Sequence, residues 1–120
     1  MRLATARRLL EESLSKDSCT PNTSQKERSA FLAEERERLR SFAIDPVEVT
    51  ATPGSMALEH SYLENRVYSL VAVARHKDRW LLCDPNRGDF LLAWSSGAGN
   101  AFKLHLLGFR SDDALAEWLG

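Results

Sequence analysis

The stretch RVYSLVAVAR, Arg66 to Arg75, constrains the fold more than any other part of this chain. Val67, Ser69, Val71 and Val73 alternate with Tyr68, Leu70, Ala72 and Ala74. A period of two with β-branched and aromatic residues is the pattern of a strand. Both faces are largely apolar, so the strand is predicted to be central and covered on both sides.

The flanking segments supply neighbours and cover. His76-Lys77-Asp78 is a polar turn, and Arg79–Cys83 is predicted to be the next strand. Asp84-Pro85-Asn86-Arg87-Gly88 separates it from a strand over Asp89–Trp94. Ala101–Phe109 alternates Phe102, Leu104 and Leu106 against Lys103, His105 and Leu107, which suits a strand with one wet face. Pro46 and Pro53 exclude a helix interior, so Val47, Val49 and Thr50 are read as a short edge strand. Gly54 to Asn65 fits either a short helix or an irregular strand.

The cover is helical. Leu3, Ala6, Leu10 and Leu14 recur at steps of three and four. Ser24-Gln25-Lys26-Glu27 has the form of a capping box, followed by the apolar positions Phe31, Leu32, Leu39 and Phe42. An i,i+4 pair between Glu34 and Arg38 is expected on that second helix. Ser111-Asp112-Asp113 is predicted to cap a last helix anchored by Leu115, Trp118 and Leu119. The expected fold is α+β: two N-terminal helices, an antiparallel sheet of about five strands and a C-terminal helix. All 120 residues are read as one domain, helical over 1–42 and sheet plus closing helix over 43–120.

Composition narrows the function classes. Formal net charge is −1, with +2 on residues 1–42 and −3 on 43–120, so no global field favours nucleic acid or an anionic membrane. No apolar run approaches the ~18–20 residues that span a bilayer. The N-terminal Met-Arg-Leu-Ala stretch, interrupted by Arg7, Glu11 and Glu12, is not a secretion signal, and the cytoplasm is the expected compartment. Cys19 and Cys83 are expected to be reduced thiols. His60, His76 and His105 share no ligand spacing, so no metal site is expected. Gly97-Ala98-Gly99 lies between predicted strands and does not open a helix, so no phosphate-binding cofactor site is expected. Most aromatics are assigned to the core, with one or two left at a rim.

The Asp84–Gly88 loop has two readings. As a turn, Pro85 pre-sets φ, the Asp84 carboxylate bonds the amide of Asn86 or Arg87, and Gly88 supplies a positive φ. As chemistry, the W-x-x-x-DPN-x-G-x-F pattern from Trp80 to Phe90 resembles YopT-type papain-fold cysteine peptidases. That resemblance implies Cys19 as nucleophile and Asp84 as the acid that orients a histidine. The histidine's place, around Tyr68 and Ser69, holds none. Cys19 is followed by Thr20-Pro21-Asn22-Thr23 and not by a helix start, which is where a thiol of lowered pKa belongs.

The overall layout, ending in Phe109-Arg110-Ser111 and a short amphipathic helix, resembles bacterial toxin-immunity proteins of the SUKH superfamily. That resemblance implies a non-catalytic protein that binds a toxin or effector. Asp84, Asn86, Arg87, Asp89 and His105 are its candidate binding residues. The leading expectation is such a binder, with a protein partner, no nucleic acid, no membrane and no cofactor. The papain-like peptidase, or a degenerate relative of one, is the alternative.

Overall fold

A computed structural model describes residues 1–16, 27–54, 63–96, 103–107 and 110–119. Among these, the chain runs α1 (Arg2–Leu14), α2 (Arg28–Ser41), β1 (Ala43–Pro53), β2 (Tyr68–His76), β3 (Arg79–Asp84), β4 (Asp89–Ser96), β5 (Lys103–Leu106) and α3 (Ala114–Leu119). This is the α+β arrangement expected from the sequence. The five strands go further and close into a barrel in the order β1-β2-β3-β4-β5.

Consecutive strands pair antiparallel, and the closing pair, β1 with β5, is parallel. An odd number of strands that alternate in direction leaves the first and last pointing the same way, so closure requires that parallel contact. It is short: Thr52 faces His105 and Pro53 faces Leu106. Gly54 extends the seam, its amide donating to the Leu106 carbonyl at 2.9 Å. A Cβ there would stand 3.2 Å from that same oxygen, so the close approach favours glycine. The expected short edge strand around Val47 is therefore an eleven-residue strand that helps close the barrel.

Closure separates two apolar layers. Tyr68, Leu70, Ala72, Trp80, Leu82, Leu91, Ala93, Leu104 and Leu106 fill the barrel interior. Val71, Val73, Leu81, Cys83, Phe90 and Leu92 point outward, beneath Ala6, Leu10 and Leu14 of α1, Phe31, Leu32 and Leu39 of α2, and Leu115 and Trp118 of α3. The central strand is β2, apolar on both faces because one face lines the barrel and the other carries helices. Its register shifts between Ala72 and Ala74, and this bulge moves Ala74 into the outer layer.

The helix ends differ in part from the sequence reading. The described part of the second helix starts at Arg28 with Glu27 at its N-cap, and no side chain among the described residues caps it. Ser24 lies outside the described residues. Arg38 pairs with Glu35, at 3.3 Å. The final helix is capped as expected: Asp113 Oδ1 accepts the Ala116 amide and Ser111 Oγ accepts the Asp113 amide.

A further cap comes from the far end of the chain. Ser13 Oγ, on α1, accepts the Ala114 amide and donates to the Asp112 carbonyl, both at 2.8 Å. One hydroxyl thus ties α1 to the start of α3. Ser13→Ala is expected to lower stability by about 1–2 kcal/mol, the usual cost of losing a cap. Urea denaturation would measure it, and Ser13→Thr, which keeps the hydroxyl, should recover most of the loss.

Candidate functional site

The Asp84–Gly88 loop joins β3 to β4, and its turn geometry matches the structural reading. The Asp84 carbonyl accepts the amides of Arg87 and Gly88, at 3.2 and 2.8 Å. Gly88 has φ 74°, which an L side chain rarely adopts. Asp84 Oδ1 accepts the Asn86 amide at 3.1 Å.

The register also sets Asp84 directly opposite Asp89. Two carboxylates facing each other across a strand pair repel, so this hairpin end is stable only with a cation between them. Arg110 supplies it. Its Nη2 donates to Asp84 Oδ2 at 2.6 Å and to Asp89 Oδ1 at 2.9 Å, and its Nε donates to Asp89 Oδ2 at 2.9 Å. The hydrogen bond to Asp89, followed by that to Asp84, raises the Arg110 pKa against the opposing effect of burial. Arg87, exposed, adds a longer contact to Asp89 at 3.6 Å.

Arg110 reaches this place because the chain keeps to the side of β4 past the end of β5. The Leu107 amide donates to the Leu92 carbonyl at 3.1 Å, and Ser111 forms an antiparallel bridge with Phe90, whose amide donates to the Ser111 carbonyl at 2.7 Å. The residue just before the bridge then overhangs the hairpin. Arg110 was not among the sequence-selected residues. The legible signal was the pair of aspartates bounding one tight hairpin, which asks for a cation. Which arginine answers depends on the return path of the chain.

The structure divides the sequence-selected residues. Asp84, Asn86, Arg87 and Asp89 gather at one hairpin. His105 lies at the other end of β4, paired in register with Trp94. Trp94 lies five steps beyond Asp89, about 16 Å along a strand. His76 is equally remote, opposite Arg79 at the start of β3, and its ring packs at a tilt against Phe42 with centroids 4.2 Å apart. At the position the peptidase pattern gives to histidine, Tyr68 is buried inside the barrel and Ser69 faces outward. Cys19 and His60 lie outside the described residues. Cys83 is fully buried, and burial pushes its thiol up to about 12, far from a reactive thiolate.

His105 is less solvated than its strand pattern suggested. Its ring stacks on Trp94, centroids 4.5 Å apart and planes 30° apart, and its Nε2 lies 2.7 Å from Ser96 Oγ. Trp94 is 42% exposed, whereas Trp80 and Trp118 are 4% and 3% exposed. It is thus the rim aromatic that the sequence left unassigned. Elsewhere, a cleft of about 240 Å³ between α1 and β1 is lined by Arg7, Leu10, Ile44, Asp45 and Val73. Its Arg7 and Asp45 pair with each other at 3.0 Å. Among the described residues no group of three or more metal-ligating side chains comes together, and no helix is long and apolar enough to cross a membrane.

Comparison with protein-family models, with curated proteins and with solved structures returns no match to this chain.

Proposed function

We propose that this chain is a non-catalytic binding protein of the toxin-immunity kind, acting in the bacterial cytoplasm on a protein toxin or effector. The observation that carries the reading is the engagement of Asp84. One carboxylate oxygen is taken by the amide of its own turn and the other by Arg110. An acid that orients a catalytic histidine needs an oxygen facing that histidine. Here the oxygens fasten a hairpin, and the described histidines, His76 and His105, sit at the opposite ends of β3 and β4, which supports the structural reading of the DPN-x-G element. A rigid barrel presenting one exposed tryptophan suits recognition, because tryptophan is enriched among the residues that dominate protein interfaces.

The test pairs two assays. The chain is co-expressed with the product of the neighbouring reading frame, and growth rescue is scored. In parallel, peptidase activity is assayed in the unaltered protein, Asp84→Asn and Cys19→Ser. Rescue retained in both variants, without peptidase activity, is the expected result. Peptidase activity abolished by both substitutions would overturn the reading in favour of the papain-like alternative.

Asp84→Asn should cost about 1–3 kcal/mol of stability. Asparagine can still accept the Asn86 amide, and Arg110 keeps both of its hydrogen bonds to Asp89, but the asparagine NH2 then faces the Arg110 Nη2 donor that Asp84 Oδ2 had accepted. A thermal melt checks that any lost activity is not lost folding.

A further inference from the structure

The helical layer covers the outer face of the barrel unevenly. It buries Leu81 and Leu92, which sit opposite each other on β3 and β4. Two residues further on, the cover by the described helices ends. The next outer row runs across four strands: Arg79 on β3 faces Trp94 on β4, Trp94 faces His105 on β5, and His105 faces Thr52 on β1. Beside it, Ser96 faces Lys103. Arg79, Trp94, Thr52 and Lys103 are exposed, and Ser96 and His105 are half-buried.

This row is pre-organised. The Trp94 ring is held by the His105 ring, and His105 by Ser96. Arg79 is steadied by donating to the Trp118 carbonyl at the end of α3, at 3.3 Å, while its side chain stays exposed. Its charge is also one-sided. None of the six residues is acidic, two are permanent cations, and the whole chain is formally −1. At this end of the barrel Asp78, in the β2–β3 turn, lies beside Lys77 and contacts the Ser95 hydroxyl at 3.5 Å, so Arg79 and Lys103 still outweigh it. Asp84, Asp89, Asp112 and Asp113 belong to the opposite end of β3 and β4 and to the start of α3. Three inter-strand gaps give the row a length of about 14 Å, which an extended segment of about four residues spans.

We infer that this row docks an acidic, extended polypeptide segment of the partner protein, with Trp94 as the apolar anchor and Arg79 and Lys103 pairing its carboxylates. A tryptophan held in place beside two exposed cations gives both contact area and electrostatic selection. The inference rests on the reading of this chain as a binding protein and supplies the chemistry of the partner.

The test needs no toxin. The full chain is titrated calorimetrically with a synthetic decapeptide of alternating aspartate, glutamate and glycine. A lysine decapeptide and an oligothymidylate of similar length serve as competing probes. Acrylamide quenching of tryptophan fluorescence reports on Trp94 in the same samples, because the other two tryptophans are buried.

The acidic peptide should bind and shield Trp94. Trp94→Ala and Lys103→Glu should each weaken binding about tenfold, the loss typical of a central interface residue. Lys16→Glu, an exposed charge at the end of α1, should not. Absence of binding, equal binding by Lys103→Glu and Lys16→Glu, or preference for the lysine peptide would overturn the inference. Tighter binding of oligothymidylate with shielding of Trp94 would overturn it in favour of a single-stranded nucleic-acid face.

The two proposals fail separately. Peptide binding without toxin rescue leaves this face and removes the immunity reading. Rescue that survives Trp94→Ala, without peptide binding, removes the face and leaves that reading.

Discussion

Arg110→Met is expected to destabilise the protein by about 3 kcal/mol, the lower end of the cost of breaking a buried ion pair. Arg110, Asp84 and Asp89 retain only 15, 15 and 14% side-chain exposure, so water cannot replace the lost guanidinium effectively. Methionine conserves much of the length and apolar bulk, so the measurement isolates charge and hydrogen bonding from packing. What remains is two carboxylates facing each other at the end of β3 and β4.

The rescue is specific. Adding Asp84→Asn and Asp89→Asn to Arg110→Met should recover most of the loss, since the repelling charges are then gone. A triple variant as unstable as Arg110→Met alone would show that Arg110 acts through packing. Urea denaturation with a common m-value is the appropriate readout.

A second large effect concerns pH. Glu117 is half-buried on α3, and burial, reinforced by Asp113 and Asp89, pushes its carboxyl from 4.5 up to about 7. Below 4.5 the group is protonated in both folded and unfolded chains. Between 4.5 and about 7 the folded chain holds a proton that the unfolded chain has released. The folded state therefore binds more protons in this window, and its stability falls as pH rises. Above about 7 the full penalty of a buried, repelled carboxylate is present.

With water reaching part of this side chain, that penalty is about 2 kcal/mol. Glu117→Gln is expected to raise stability by this amount at pH 8 and to leave it nearly unchanged at pH 4. The melting temperature at pH 8 should rise by about 8 °C. Melting curves across pH would show it. A variant whose stability falls with pH as steeply as that of the unaltered protein would remove Glu117 as the cause.

Much of the fold was legible because the strands obey a local rule. In β3, β4 and β5, and in β2 up to its bulge at Ala74, the side chains alternate regardless of what covers each face, so residue type alone locates them. Apolar residues on both faces of β2 announced two layers of cover, and two layers are present. The turn chemistry of Asp84, Pro85 and Gly88 was legible for the same reason: φ preferences and short-range amide bonds act within five residues. Capping of α3 by Asp113 is equally local.

Closure was not legible. Alternation says that one face is buried but does not say whether the sheet curves back on itself. β1 looked like an edge because Pro46 and Pro53 interrupt it. Its contact with β5 consists of two facing residue pairs some fifty positions apart in the chain. Such a pairing depends on barrel curvature, which no short window encodes.

The charged sites divide along the same line. By itself the sequence determined that Asp84 and Asp89 bound one hairpin, that Cys83 lies in an apolar strand and that the chain carries little net charge. The tertiary structure decided that Arg110 clamps the two aspartates, that Ser13 caps a helix a hundred residues away, and that helical cover stops one row short of Trp94 and His105. Local chemistry acts through covalent geometry and near neighbours, so the residues themselves carry it. Ion pairs, distant caps and exposed rows depend on where the chain returns in space, and that is set by packing the whole barrel against its helices.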